Sequence, residues 1–154
     1  MDWKDLKSRI YHEDGSLRDI FIRNLTLDDW KRWADYVNGN YAVDFFIAHS
    51  PCGNQIDFDA VAAYFQDPSR VYPAASIHLE GMVMHVNFWN DEMECDIAPI
   101  EIKSMQDHET LLDYLKSISG LLGRCIELTE ENPGDPKEIL MIVDGERVVF
   151  PGLR

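Results

Sequence analysis

The chain has 154 residues, of which 45% are hydrophobic and 11% aromatic, and this predicts a single folded domain over residues 1–154. It carries 28 Asp and Glu against 14 Lys and Arg, and the formal charge of −14 argues against binding to nucleic acid or anionic membranes. No stretch is long and apolar enough to span a bilayer, and the charged N-terminus is unlike a signal peptide, so we expect a cytoplasmic protein.

The N-terminal part predicts a short helix, a strand and a longer amphipathic helix. Asp2 can cap the first helix, WKDLKSRIY, and the strand begins at Arg18. Thr26, followed three residues later by Asp29, indicates the capping box of the second helix, which Asn38-Gly39 is expected to end. The helix carries a wide apolar stripe, so residues 18–38 are expected to anchor the core. The stripe consists of Leu27, Trp30, Trp33, Ala34 and Val37.

The middle of the chain predicts a strand, a short helix and a hairpin. The strand spans residues 42–48 and is broken by the sequence SPCGN at residues 50–54. Asp57 caps the helix, which ends before Pro68. Residues 75–79 and 82–89 form the hairpin around Glu80-Gly81, and the sequence NDEMECD at residues 90–96 is interpreted as an acidic loop or strand edge.

The C-terminal part predicts the longest helix and a closing hairpin. Residues 99–103 fit no single assignment, and Asp107 is the expected cap of a helix over about residues 108–122 that ends at Gly123. A possible strand at 124–128 and a polar loop at 129–137 follow. Residues 139–143 and 147–150 pair around Asp144-Gly145, a dipeptide suited to a type I′ turn. Four helices and about seven strands, without strict alternation, predict an α+β domain with helices packed on a mainly antiparallel sheet.

The sequence contains no P-loop and no GxGxxG, GxSxG or HExxH motif, so the common nucleotide, hydrolase and metalloprotease signatures are absent, while other chemistries stay open. We assign no catalytic residue and no metal site. The most enzyme-like feature is His78 with His85, which lie diagonally on one face of the hairpin, within reach of one metal. The sequence places no third ligand beside them. The favoured interpretation is therefore two polar residues on the open face of a sheet.

Two further patterns have simpler structural interpretations. Asn90, Glu92, Glu94 and Asp96 alternate in a way that resembles part of a calcium loop. Cys95 replaces the required glycine and the glutamate expected at position 12 is missing, which favours a solvated acidic edge. Cys52, Cys95 and Cys125 are widely spaced and odd in number, which argues against a disulfide framework and a cysteine zinc site. Cys95 or Cys52 could be a nucleophile, although a lone cysteine is more often a small buried hydrophobe.

Three segments carry a resemblance to a known group of proteins: MDWKDLKSRIYHEDGSLRDIFIRN, DDWKRWADYVN and DHETLLDYLKSISGLLG. Together with the acidic α+β layout, they resemble the small bacterial immunity proteins of polymorphic and contact-dependent toxin systems. The resemblance implies inhibition by tight binding, without catalysis or a cofactor. It carries over no interface residue.

We therefore expect a non-enzymatic, immunity-like inhibitor that neutralises a basic toxin domain, such as a nuclease, by electrostatically steered binding. One alternative is an enzyme of unrecognised class that uses His78, His85 and a carboxylate or Cys95. A second is an acidic structural or oligomeric module. The candidate contacts form two groups: Trp89 with Asp91, Glu92, Glu94 and Asp96, and Tyr64 with Asp57, Asp59 and Asp67.

Overall fold

The computed structural model describes residues 1–131 and 138–152, and within them α-helices pack on one nine-stranded antiparallel sheet. The helices are α1 (Trp3–Arg9), α2 (Leu27–Asn40), α3 (Phe58–Gln66) and α4 (Met105–Leu122), with a short 3₁₀ helix at Pro99–Glu101. The strands are β1 (Arg18–Ile22), β2 (Ala42–Ile47), β3 (Ser50–Gly53), β4 (Pro73–Leu79), β5 (Met82–Trp89), β6 (Glu92–Ile97), β7 (Ile126–Glu130), β8 (Ile139–Asp144) and β9 (Arg147–Val149). Their order is β3-β2-β4-β5-β6-β1-β7-β8-β9. The predicted α+β class is confirmed.

The strand β6 corrects the prediction of an acidic loop or edge at residues 90–96. Met93, Cys95 and Ile97 are buried and alternate with the acidic residues, and β6 pairs with β5 on one side and β1 on the other. Only Asn90 and Asp91 remain as the turn between β5 and β6. The alternation has the two-residue period of a strand with one buried face. The carboxylates consequently lie near the middle of the sheet.

The segment at residues 50–54, predicted to be a break, contributes the edge strand β3. It pairs with β2 from Ile47↔Ser50 to Phe45↔Gly53, with an irregularity between Phe45 and Phe46. All four of its residues are exposed, so hydrophobic alternation could not reveal it. Its short length and Pro51 limit further pairing at this edge of the sheet.

The helix α2 supplies the anchor that the sequence indicates. Thr26 and Asp29 form the expected capping box, and Trp30 and Trp33 are at most 1% exposed. Leu27, however, is half exposed, so the buried stripe is narrower than predicted. The helix also continues through Gly39 to Asn40, because the glycine does not take the left-handed conformation that ends a helix.

The helix α4 begins one turn earlier than predicted. Ser104 is the N-cap and accepts a hydrogen bond from the Asp107 amide, while the Asp107 carboxylate accepts one from the Lys103 amide at 2.8 Å. Asp107 therefore belongs to the first turn. Gly123 ends the helix with φ of +63°, as the sequence indicates.

The C-terminal hairpin is confirmed, but its turn is shifted by one residue. Asp144 pairs with Arg147, which leaves Gly145 and Glu146 at the centre. Gly145 has φ of +60° and occupies the first central position, as in a type II′ turn, and not the second position of the expected type I′ turn. β7 extends to Glu130, two residues into the loop predicted at residues 129–137, and residues 132–137 lie outside the described part of the chain.

Candidate functional site

The two faces of the sheet differ. On one face Ile20, Met84 and Met93 share a buried cluster with apolar side chains from all four α-helices of the described chain. The opposite face of the sheet is here called the outer face. Its central residues are mainly polar: Asp19, Phe21, Ser76, His85, Asn87, Trp89, Glu92, Glu94 and Asp96. A continuous outer face of this kind is a natural location for binding residues.

Carboxylates lie close together on the outer face. Asp96 stands directly opposite Asp19 on β1 and opposite His85 on β5. Burial raises the pKa of Asp96, the charge of His85 opposes that rise, and the charges of Asp19 and Glu131 add to it. Like charges directly opposite on neighbouring strands destabilise a sheet. The outer face therefore concentrates negative charge near the middle of the sheet.

Glu94 connects this acidic region with an exposed tryptophan. The Trp89 indole Nε1 donates a hydrogen bond to Glu94 Oε2 at 3.0 Å, and the Trp89 side chain is 52% exposed. Burial raises the pKa of Glu94 and the hydrogen bond from Trp89 lowers it. The charges of Asp19, Glu92 and Asp96 raise it further, and the pKa ends above its ordinary value. The indole is thus fixed in orientation beside a carboxylate in a negative field.

Trp89 and Tyr64, which the sequence places in separate groups, line one hollow of about 290 Å³. Its other lining residues are Phe65, Pro68, Phe88 and Asn90. Tyr64 comes from α3, Pro68 from the following loop, and Trp89 from the end of β5. The lining is largely apolar, although it opens beside the acidic outer face. Such a combination is typical of the anchor pocket of a protein interface.

The floor of this hollow is part of the core. Phe65 and Phe88 pack on Trp30 of α2, with ring centroids 5.2 and 5.3 Å apart. The Trp30 indole donates a hydrogen bond to the carbonyl of Asn90, and the amide of Leu25 donates one to the carbonyl of Asp91 at 2.9 Å. The anchor segment therefore holds the β5–β6 turn in place. A site supported in this way is preorganised.

A second hollow of about 300 Å³ adjoins the first through Tyr64. Ile47, Ala60, Ala63, Arg70 and Val71 complete its lining. Val71 is 55% exposed, and the sequence analysis did not single it out. A single valine in a loop without hydrophobic periodicity gives no signal in the sequence, and its exposure is visible only in the fold. Tyr64, Pro68, Val71 and Trp89 are here called the apolar surface.

The remaining predicted acidic residues have different surroundings. Asp57 caps α3 and, with Asp59, lines a separate hollow that also contains Lys31. Asp67 is next to Pro68 and accepts hydrogen bonds from Ser69, which lower the pKa of its carboxyl group. Glu94 contacts Trp89 and Glu92 stands opposite that tryptophan in the sheet, while Asp67 and Asp91 are chain neighbours of the lining residues Pro68 and Asn90. Asp57 and Asp59 lie at another hollow.

His78 and His85 lie on the outer face, as predicted, but each has a different partner. His78 Nε2 is 2.8 Å from Asp44 Oδ2, and His85 Nδ1 is 3.0 Å from Ser76 Oγ. Within residues 1–131 and 138–152 no group of three His, Cys, Asp or Glu side chains is arranged to hold a metal ion. The hypothesis that these histidines serve an enzyme stays a prediction.

The three cysteines are free thiols in the described chain. Burial raises the pKa of Cys95, and the neighbouring charges of Asp96 and Glu94 raise it further, so its thiol stays protonated and packs as a small apolar group. Cys52 and Cys125 are exposed. No helix among the described residues has the length and apolar character needed to cross a membrane.

Comparison of the chain with family models, with curated proteins and with solved structures found no match.

Proposed function

We propose that this chain is a non-enzymatic binding protein that docks a basic protein partner on the apolar surface and the acidic residues around it. The observation that carries this proposal is the half-exposed Trp89, which lines an apolar hollow with Tyr64 and is fixed by a hydrogen bond to Glu94. Large aromatic side chains in rigid hollows are the residues that most often dominate binding energy. A rim of carboxylates selects for positive charge on the partner.

The net charge also supports a basic protein partner. A formal charge of −14 produces a field that attracts a basic protein and repels nucleic acid, so association with a protein partner is accelerated by long-range steering. The acidic residues of β6 concentrate this field on the outer face beside Trp89. Steering brings the partner to the correct side, and the apolar surface then provides the short-range contacts.

We further propose that the complex is immunity-like: the chain acts in the cytoplasm and neutralises a basic toxin domain, such as a nuclease, by covering its functional surface. The acidic charge and the resemblance of the layout support this proposal. An inhibitor of this kind needs only a rigid complementary surface, with no cofactor. The Trp30-supported hollow has the required rigidity.

The test is capture of the partner by coexpression with the proteins encoded next to this chain. The wild-type chain, a Tyr64→Ala/Trp89→Ala variant and an Ile100→Ala variant are compared as bait. Ile100 is the matched control, because it is 62% exposed and follows the opposite end of β6. We expect the wild type and Ile100→Ala to capture a basic partner, and the double variant to bind it at least about 100-fold more weakly.

Inhibition is measured in the same system. Expression of the captured partner alone is expected to slow growth, and coexpression of the wild type or of Ile100→Ala to restore it. Equal capture by the double variant would show that docking takes place elsewhere. A captured partner whose activity is unchanged in the complex would refute inhibition while leaving the docking surface intact.

A further inference from the structure

The structure itself contains an example of how this outer face binds a cation. Arg23 places its guanidinium carbon 5.0 Å from the centroid of the Phe21 ring. Its Nη1 lies 2.7 Å from Glu127 Oε2, and its Nε lies 3.8 Å from Glu92 Oε1. An aromatic face and two carboxylates therefore hold one guanidinium. Such a cation–π contact is stronger for tryptophan than for phenylalanine.

The same kinds of group recur beside Arg23 without an internal cation. Trp89 offers an exposed indole, Glu94 is bonded to the indole edge, and Asp91 is exposed in the adjoining turn. Among the ion pairs of the described residues, none involves Glu94 or Asp91. Since Glu94 occupies the indole N–H, the negative ring face is what Trp89 presents to a ligand.

We propose that the hollow between Tyr64 and Trp89 receives an arginine side chain of the partner, with its guanidinium over the indole and bonded to Glu94. This inference rests on the proposed function and adds the chemistry of recognition. The planar guanidinium stacks on an indole and can bond a carboxylate through two nitrogens, which an ammonium group cannot do. The apolar lining by Phe65, Pro68 and Phe88 accommodates the methylene stem.

The test uses a small probe and needs no partner protein. Acetyl-arginine amide, its neutral analogue acetyl-citrulline amide and the apolar acetyl-norleucine amide are titrated at constant ionic strength into ¹⁵N-labelled protein. The Trp89 indole N–H signal is assigned by its absence in Trp89→Phe. The Trp3 indole on α1, which stacks on Tyr11 and is not a lining residue of the hollow, serves as the internal control. We expect the arginine probe to shift the Trp89 signal with at least about fivefold higher affinity than either analogue.

A variant tests the contact with the carboxylate. Glu94→Gln keeps the length of the side chain and a hydrogen-bond acceptor for the Trp89 indole but removes the charge, and we expect it to weaken the arginine response about fivefold. Glu109→Gln, an exposed site on α4, changes the net charge equally and is expected to have no effect.

Two outcomes would overturn the inference. An equal or stronger response to acetyl-norleucine amide would make the hollow a receptor for an apolar side chain, and an arginine response unaffected by Glu94→Gln would place the cation elsewhere. In either case the capture experiment with Tyr64→Ala/Trp89→Ala still decides separately whether the surface docks a protein. No response of Trp89 to the arginine probe also refutes arginine recognition.

Discussion

Tyr11 and His108 form a buried pair that couples the stability of the fold to pH. The Tyr11 hydroxyl is 2.6 Å from His108 Nδ1, and both side chains are less than 5% exposed. Burial, assisted by the charges of Lys116 and the N-terminus, lowers the pKa of His108 to about 4. The neutral imidazole then shares this hydrogen bond with the Tyr11 hydroxyl.

This pair leads to a prediction for stability against pH. The pKa of His108 is lower in the folded chain than its ordinary value of about 6.5, so the unfolded chain binds more protons between these values. The titration of His108 is therefore expected to contribute a loss of about 3 kcal/mol as the pH decreases from 6.5 to 4. Urea unfolding at pH 7, 5.5 and 4 measures it. His108→Gln is expected to reduce this loss, and His78→Gln, at an exposed site, to preserve it; an unchanged loss in His108→Gln would contradict the assignment.

Single residues also mark the limit of what the sequence could predict about the site. Trp89 and Tyr64 stand 25 positions apart, and each was singled out because a large aromatic residue stood near carboxylates. Their common hollow depends on how the end of α3 meets the end of β5, which only tertiary packing decides. The sequence also carried no sign that Arg18 is buried. It resembles an ordinary strand residue, yet it is fully buried and donates hydrogen bonds to the carbonyls of Ile10 and His12.

At the scale of elements, hydrophobic period and capping residues were the reliable signals. The capping box of α2 and the β4–β5 hairpin around Glu80-Gly81 were both predicted correctly because local chemistry decides them. β6 was misassigned because its carboxylates suggested a solvated loop, although Met93, Cys95 and Ile97 already had the period of a strand. The edge strand β3 has the sequence SPCG, whose residues are all exposed, so it has no hydrophobic alternation by which to predict it.

The turn between β2 and β3 carries backbone strain that can be removed. Ala48 and His49 both have positive φ, of +50° and +65°, although neither is a glycine or an asparagine. The Ala48 amide donates to the Tyr72 carbonyl at 3.1 Å, and the His49 ring packs edge-on against Tyr72. These contacts hold the turn in a conformation that costs about 1 kcal/mol per residue.

We therefore expect Ala48→Asn/His49→Gly to raise the free energy of unfolding by about 1 kcal/mol, because this pair adopts the two left-handed conformations more easily. Equilibrium denaturation measures the change. His49→Ala is the control: it loses the Tyr72 contact and keeps the strain, so it should be less stable than the wild type. A double variant less stable than the wild type would show that the lost Tyr72 contact outweighs the relieved strain.

At the scale of the whole molecule, the two faces of the sheet differ in their cover and their polarity. The helices cover one face of the sheet and hold Trp30 and Trp33 in the core, while the outer face is left for polar side chains. The sequence predicted the α+β architecture from its elements, and its charge predicted a basic partner. Neither could assign the carboxylates of β6 to the middle of the outer face, because that follows from the strand order β5-β6-β1.

The most direct measurement is the rate of association with the captured partner, as a function of salt, for two charge-reversal variants. Asp91→Lys/Glu92→Lys alters the residues beside Trp89, and Glu109→Lys/Asp113→Lys makes the same change of net charge on the exposed side of α4. We expect the wild-type association rate to fall about tenfold as salt screens the field. The first variant should associate about tenfold more slowly and lose most of this salt dependence, with the second close to the wild type. Equal effects of the two variants, or none from either, would contradict a docking surface at Trp89.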